Sequence, residues 1–251
     1  MSIFARFRAI EDNDKAAAVR KLMQSSTPNF DFFYLIGLSV IMATLGLLLD
    51  SPAIVIGSML IAPLLYPILG AGLGIVMSND EVLSRSLVTL TKSLLIALFA
   101  SMVTAIFFGD GVVTGEILAR IDPSLEYFLV AVVAGAAVSF AIAQPEWSET
   151  LPGIAISVAL IPPLAVVGIG IAMLDVEVIT GSAVMFFMNL FGILFAALVS
   201  FSLMDLHAKQ NVAESTIKRE AEKLAKEALA VAAVMDKKLE KAQNKSHETN
   251  S

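Results

Sequence analysis

The sequence predicts an all-α integral membrane protein: six transmembrane helices arranged as two inverted three-helix repeats, followed by a charged helical tail. Three observations carry that fold class. Apolar residues make up 57% of the chain and charged residues only 16%, against roughly 25% charged in soluble domains. Of the 17 Lys and Arg, five lie in residues 1–30 and nine in residues 205–251, leaving only Arg85, Lys92 and Arg120 between. Apolar runs recur throughout that middle stretch, which is long enough for six passes of roughly 20 residues each.

Each element follows from local signals. Ile3–Ile10 mixes Phe and Ile with two Arg, the composition of a short helix lying on a membrane surface; a structureless start fits equally well. Thr27-Pro28 reads as a helix N-cap followed by a first-turn proline and opens a span from about Phe32 to Leu49. Ser51-Pro52 repeats the signal before the second span, Ala53 to Met77. The polar Asn79-Asp80-Glu81 leads to the third, Leu87 to Phe108. Residues 109–126 form a loop with a short surface helix at Thr114–Ile121. Spans four to six run from Tyr127 to Ala143, Pro152 to Leu174 and Gly181 to Met204. The expected organisation is an N-terminal segment 1–30, a membrane domain 31–204 with repeats at about 31–109 and 131–204, a cytoplasmic helix 205–243 and a disordered tail 244–251.

The basic residues at both ends place the two termini in the cytoplasm by the positive-inside rule, in a multi-pass protein of the cell inner membrane. The outer loops then carry seven acids (Asp50, Asp110, Glu116, Asp122, Glu126, Asp175 and Glu177) against the single base Arg120. Residues 1–27 lack the apolar core and cleavage site of a signal peptide, so the first span is expected to act as the insertion signal. There is no cysteine, and His207 and His247 both lie in the tail. The spans contain no acid–base cluster, Ser–His pair, phosphate loop or metal-ligand spacing. No enzymatic activity, cofactor, metal or nucleic-acid partner is expected.

Spans two and five repeat each other. At an offset of 100, eight of the nineteen pairs from Pro52/Pro152 to Gly70/Gly170 are identical, including Pro63/Pro163 and Leu64/Leu164. Three spans per repeat is an odd number, so the second copy enters the membrane from the opposite side, an inverted-topology repeat. Pro63 and Pro163 fall near the bilayer centre, with Pro67 and Pro162 beside them. An internal proline removes one N–H and clashes with the carbonyl four residues back, and hydrocarbon offers that carbonyl no substitute donor. Paired breaks in helices two and five therefore point to a midplane site for a small solute or ion. Kinks that only improve packing, with Gly57, Gly70, Gly72 and Gly74 allowing close approach, are the alternative.

Other polar groups inside the spans are few. Asn189 lies roughly 12 Å into span six and is either an interhelical hydrogen bond or a contact to the solute. Lys92 sits about a turn and a half into span three, where its amine can snorkel to the interface or face a pore. Ser58 and Tyr66 are weaker site candidates, since hydroxyls also bond within their own helices.

The stretches ATLGLLLDSPAIVIGSMLIAPLLYPILG (Ala43–Gly70) and LPGIAISVALIPPLAVVGIG (Leu151–Gly170), with Asn189, resemble the bacterial and archaeal membrane family known as domain of unknown function 389. The resemblance covers about residues 30–205. It implies a fold and a membrane location but no substrate, and some members carry a soluble domain ahead of the spans.

After Met204 the chain is strongly helix-forming. Ile217, Ala221, Leu224, Ala228, Val231 and Met235 recur at alternating spacings of four and three, a coiled-coil seam that predicts a homo-oligomer; a solvated single helix is the alternative. The functional expectation is a transporter or channel. A scaffold or sensor anchored by its spans and acting through its cytoplasmic helix is the second reading.

Overall fold

Helices in this chain are punctuated by short polar turns, and the computed structural model follows them. It describes residues 11–27, 29–143, 151–226 and 228, with 151–159 as backbone alone. Nine α-helices follow in order: α1 (Asp12–Ser25), α2 (Phe30–Leu48), α3 (Pro52–Met59), α4 (Leu65–Val76), α5 (Asp80–Phe108), α6 (Gly115–Leu118), α7 (Leu125–Ile142), α8 (Leu151–Met173) and α9 (Val176–Leu203). A 3-10 turn, Leu206–Lys209, leads into α10 at residues 210–226. There is no strand among the described residues. Among the described residues, four helices are long and apolar enough to cross a membrane: α2, α5, α7 and α9. The protein is thus a helical membrane protein. The second expected span is divided between α3 and α4, of eight and twelve residues.

The caps differ in detail from the sequence pattern. Asn29, not Thr27, caps α2, its side chain accepting from the Phe32 N–H at 2.8 Å. Thr27 instead donates back to the Met23 carbonyl. Pro52 does open α3, though Ser51 makes no capping bond.

Three helix junctions share one geometry. A glycine lies in the last turn of one helix, the residue four later is left-handed, and the N–H after that returns to the glycine carbonyl. The members are Gly46/Asp50/Ser51, Gly74/Ser78/Asn79 and Gly170/Leu174/Asp175, with φ of 50°, 51° and 57° at the middle residue and N–H···O distances of 2.9, 3.0 and 3.0 Å. A Cβ on each glycine would sit 2.9, 2.7 or 3.0 Å from the backbone N of Val55, Leu83 or Ile179. Only glycine lets the following helix start so close to the one before it.

α8 lies at the centre and packs on α2, α3, α4, α5, α7 and α9. Residues 160–166 are all buried, which suits a helix that is apolar around its whole circumference. α1 lies against α4, burying Val19 and Leu22. The first turns of α10 are held to the same end of the bundle: the Asn79 amide donates to Glu214 at 3.2 Å, and Ile217 is buried. That end of the expected oligomer seam is therefore occupied within the chain, while its later positions, Val231 and Met235, lie outside the described residues. Ile3–Ile10 also lies outside them.

Candidate functional site

The break between α3 and α4 interrupts helical backbone within the apolar part of the molecule. Residues 60–64 are not helical. α3 closes with two tight i→i+3 bonds, Leu60 N–H to Gly57 O and Ile61 N–H to Ser58 O. Pro63 has no N–H to give, and its own carbonyl accepts from Tyr66 N–H at 3.4 Å. Among the described residues, the N–H groups of Ala62, Leu64 and Leu65 and the carbonyls of Met59 to Ala62 form no hydrogen bond. The C-terminal end of one half-helix and the N-terminal end of another thus meet across five residues, with opposite partial charges.

Neighbouring hydroxyls satisfy part of this opening. Ser39 on α2 donates to the Ser58 carbonyl at 2.7 Å, and the buried Ser58 hydroxyl turns back to Val55 O at 2.6 Å. On the α4 side, Ser26 donates to the Tyr66 carbonyl at 2.9 Å. Thr89 donates to Ser26 O and Arg85 O. The break is not enclosed: Leu60 is 57% exposed and Ile61 37% exposed on the flank of the chain.

The expected site residues separate into three groups. Ser58, Pro63, Tyr66 and Pro67 all border the break. Pro67, however, is the third residue of α4, where a missing N–H disturbs nothing because first-turn donors have no helical partner. Pro162 and Pro163 do not break helix five. α8 runs continuously through both, and both are buried, correcting the expectation of paired interruptions. Neighbouring helices on all sides hold such a proline-bearing helix in place. Lys92 and Asn189 form the third group. Lys92 is exposed on the outward stripe of α5, opposite the buried Ser93, Ala97 and Ser101. Asn189 is buried on α9, on the stripe whose Gly192 and Ile193 meet Phe128 and Gly135 of α7.

The sequence reading missed the glycine junctions, and they change the register of the repeat. Gly74 and Gly170 have the same role at an offset of 96, not 100. Pro163 stands seven residues before its junction glycine, and so does Pro67; both are helical. The signal was present. Leu60-Ile-Ala-Pro63 and Leu64-Leu-Tyr-Pro67 read as two four-residue units in tandem where the second stretch has one, Leu160-Ile-Pro-Pro163.

An uncharacterized protein of Methanocaldococcus jannaschii is 32% identical over 165 residues, 66% of this chain and 51% of that protein. The chain thus spans about half the length of the curated relative it matches. No solved structure matches it. The family model for domain of unknown function 389 covers residues 59–195, from the last turn of α3 deep into α9. With more than half of its length matched, from the broken helix through the central α8, the chain belongs to the domain of unknown function 389 family.

Proposed function

We propose that the chain is a membrane permeation protein for a small solute or ion, with its site at the α3–α4 break and a second copy of the chain completing that site. The carrying observation is the irregular backbone at Leu60–Leu64, where the N–H groups of Ala62 and Leu64 and the carbonyls of Leu60 to Ala62 are unpaired among the described residues and the side chains of Leu60 and Ile61 are exposed. Irregular backbone at bilayer depth persists only against protein or a water-filled space, never against lipid tails. A homo-oligomer in which the break faces a neighbour meets that requirement. The proposal involves no bond-making chemistry and no cofactor.

An inverted repeat supports the same reading. With the register moved to 96 after the break, 15 of 45 pairs from Leu64/Leu160 to Phe108/Met204 are identical, against seven at an offset of 100. The packing follows the same exchange: α2 on α5 corresponds to α7 on α9, α4 on α5 to α8 on α9, and α5 on α8 to α9 on α4. Six spans in two such halves place both termini on the cytoplasmic side of an inner membrane, where fourteen of the 17 basic residues then lie. A reporter fused after Met204 should read cytoplasmic.

The scaffold reading draws on a different observation. Pro162 and Pro163 are closely packed, and α10 is fixed to the bundle through Asn79 and Glu214, as an anchored signalling helix would be. Flux separates the two. The chain has no cysteine, so Leu60→Cys provides a single thiol at the break. Purified protein in vesicles should pass a small ion or zwitterion, Leu60→Cys should cross-link between copies, and a bulky thiol reagent should stop the flux. No flux from a panel of cations, anions and zwitterions, with no cross-link, would leave the scaffold.

A further inference from the structure

Burying a lone ammonium is costly, and a fold keeps one only where something negative meets it. Lys15 lies on the face of α1 that carries Val19 and Leu22, and it is only 9% exposed. Among the described residues it forms no hydrogen bond and no ion pair. It lines a cavity of about 380 Å³ between α1 and the end of α9, together with Ser202, Leu203 and Asp205. We infer that this cavity holds the headgroup of a phospholipid, with its phosphate on Lys15 and a primary amine at Asp205.

The neighbouring charges leave Lys15 alone. Lys209 is paired with Asp12 at 3.2 Å. His207 Nδ1 lies 2.8 Å from Oδ1 of Asp205, so Oδ2 of that carboxylate remains. Glu11 and Asp14, the other acids at the start of α1, form no ion pair with Lys15. Backbone groups beside the mouth are of both kinds. The N–H groups of Leu206 and His207 and the carbonyls of Leu203 and Met204 form no hydrogen bond among the described residues. The backbone therefore favours neither sign, and the two charged side chains decide. Lys15 is within, and Asp205 is at the mouth, its side chain 59% exposed. A simple anion would suit the first and be repelled by the second; a simple cation would meet the reverse. A ligand carrying both charges a few atoms apart suits both.

The surface leading to the cavity is apolar and faces outward. Phe187, Phe191, Phe195 and Val199 form a ridge of four-residue spacing on α9, each between 45% and 59% exposed. Ser202, also exposed, follows Val199 by three residues and carries the ridge to the cavity. From Phe187 to Val199 the helix rises roughly 18 Å, more than one leaflet of a hydrocarbon core roughly 30 Å thick. An acyl chain laid along that ridge needs no polar partner. The order along α9 is the order within a phospholipid: apolar ridge, then Ser202 beside Lys15 for the phosphate, then Asp205 for the amine. A free solute would use the cavity and leave the ridge without a role.

The polar groups also choose among headgroups. The Lys15 ammonium has three donors and the Ser202 hydroxyl one, and neither is used among the described residues; both suit phosphate oxygens. Oδ2 of Asp205 accepts N–H bonds, which a primary ammonium supplies and a quaternary one does not. A glycerol headgroup would bring the phosphate charge and leave Asp205 with no cation beyond His207.

The site stands whether or not the break conducts, so the test is lipid binding, read by native mass spectrometry of the delipidated full chain in detergent. Added phosphatidylethanolamine should be retained in preference to phosphatidylglycerol, which has no amine, and to phosphatidylcholine, whose amine has no N–H. Soluble phosphoethanolamine at the same concentration should not displace it. Lys15→Met should lower retention about tenfold or more, the scale of one hydrogen bond to a charged group, and Lys15→Arg should keep most of it. Asp205 has left-handed backbone, with φ of 60°, which asparagine also adopts. Asp205→Asn should therefore fold normally, still hold the phosphate, and lose the preference for the primary amine. Equal retention of the three lipids, an unchanged preference in Asp205→Asn, unchanged retention in Lys15→Met, or displacement by soluble phosphoethanolamine would overturn the assignment. Selective retention without flux in vesicles would keep this site and remove the permeation reading.

Discussion

α3–α4 and α8 carry the same sequence theme, Pro-x-Ile-x-Ile followed by Leu-Ile-x-Pro, and fold differently. The first is interrupted for five residues at its middle; the second is a continuous helix with two prolines inside it. Proline content does not separate them, since each stretch has two prolines near the bilayer centre. The difference lies in length. From Pro52 to its junction glycine, Gly74, is 22 residues, and from Pro152 to Gly170 is 18. Four extra residues are one turn too many for a helix held at its far end by a fixed junction. They leave the helix as irregular backbone, and the prolines choose where.

That explanation makes the largest expected effect a deletion. Removing Leu60–Pro63 should join α3 and α4 into one helix in the register of α8. The junction at Gly74 and the packing of α4 on α5 should survive, so the protein should remain folded by circular dichroism and melt at least as high as the parent. Vesicle flux should fall below detection, because the deletion removes the unpaired backbone without removing any span. A shortened chain that still conducts would break the link between the interruption and permeation. A shortened chain that fails to fold would mean that the four residues are structural.

How much of this was legible in the sequence depends on which physical signal was involved. Helix positions follow from hydropathy and turn residues, and α7, α9 and the short α6 fall close to where those signals place them. Prolines mark where a helix can break; whether it does depends on neighbours on every side. Pro162 and Pro163 are enclosed by neighbouring helices and stay helical, whereas Pro63 borders an open flank. The register error has a different origin. Leu and Ile are common in both stretches, so identities at an offset of 100 accumulated through the tandem Leu-x-x-Pro units. The glycine junctions fix the offset at 96, and their signature is a contact between Gly74 and a backbone nine residues on. Local pattern does not display such a contact. Lys92 and Asn189 were found by polarity alone, which says nothing of the face on which each would lie.

A smaller effect tests whether the two junctions are equivalent. Gly74→Val and Gly170→Val each place a side chain against the backbone N of Leu83 or Ile179. Overpacking of that kind destabilises by about 1–3 kcal/mol, and the two should respond alike in a thermal melt. Gly37→Ala is the control. Nothing lies within 4 Å of a Cβ there, and the change from Gly to Ala inside α2 should stabilise by up to about 1 kcal/mol. A loss at Gly74 with none at Gly170 would mean that the junctions only look alike, and the offset of 96 would lose its structural basis.

The smallest effect isolates what the break asks of its neighbour. Ser39 of α2 and Ser139 of α7 correspond in the repeat, and both are wholly buried. Ser39 donates to the carbonyl of Ser58 at the edge of the break. Among the described residues, Ser139 has no hydrogen-bond partner. An interhelical hydrogen bond in a membrane protein contributes about 0.6 kcal/mol on average. Ser39→Ala should therefore lower the melting midpoint by a degree or two, by removing a donor from a carbonyl that has only Ile61 N–H besides. Ser139→Ala removes a hydroxyl that is already unsatisfied, so it should leave stability unchanged or raise it slightly. Combining each with the Leu60–Pro63 deletion sharpens the point. Once α3 and α4 form one helix, the Ser58 carbonyl has a regular donor, and Ser39→Ala should become as harmless as Ser139→Ala. If Ser39→Ala costs the same with and without the deletion, the hydroxyl serves helix packing in general and α2 is not adapted to the break.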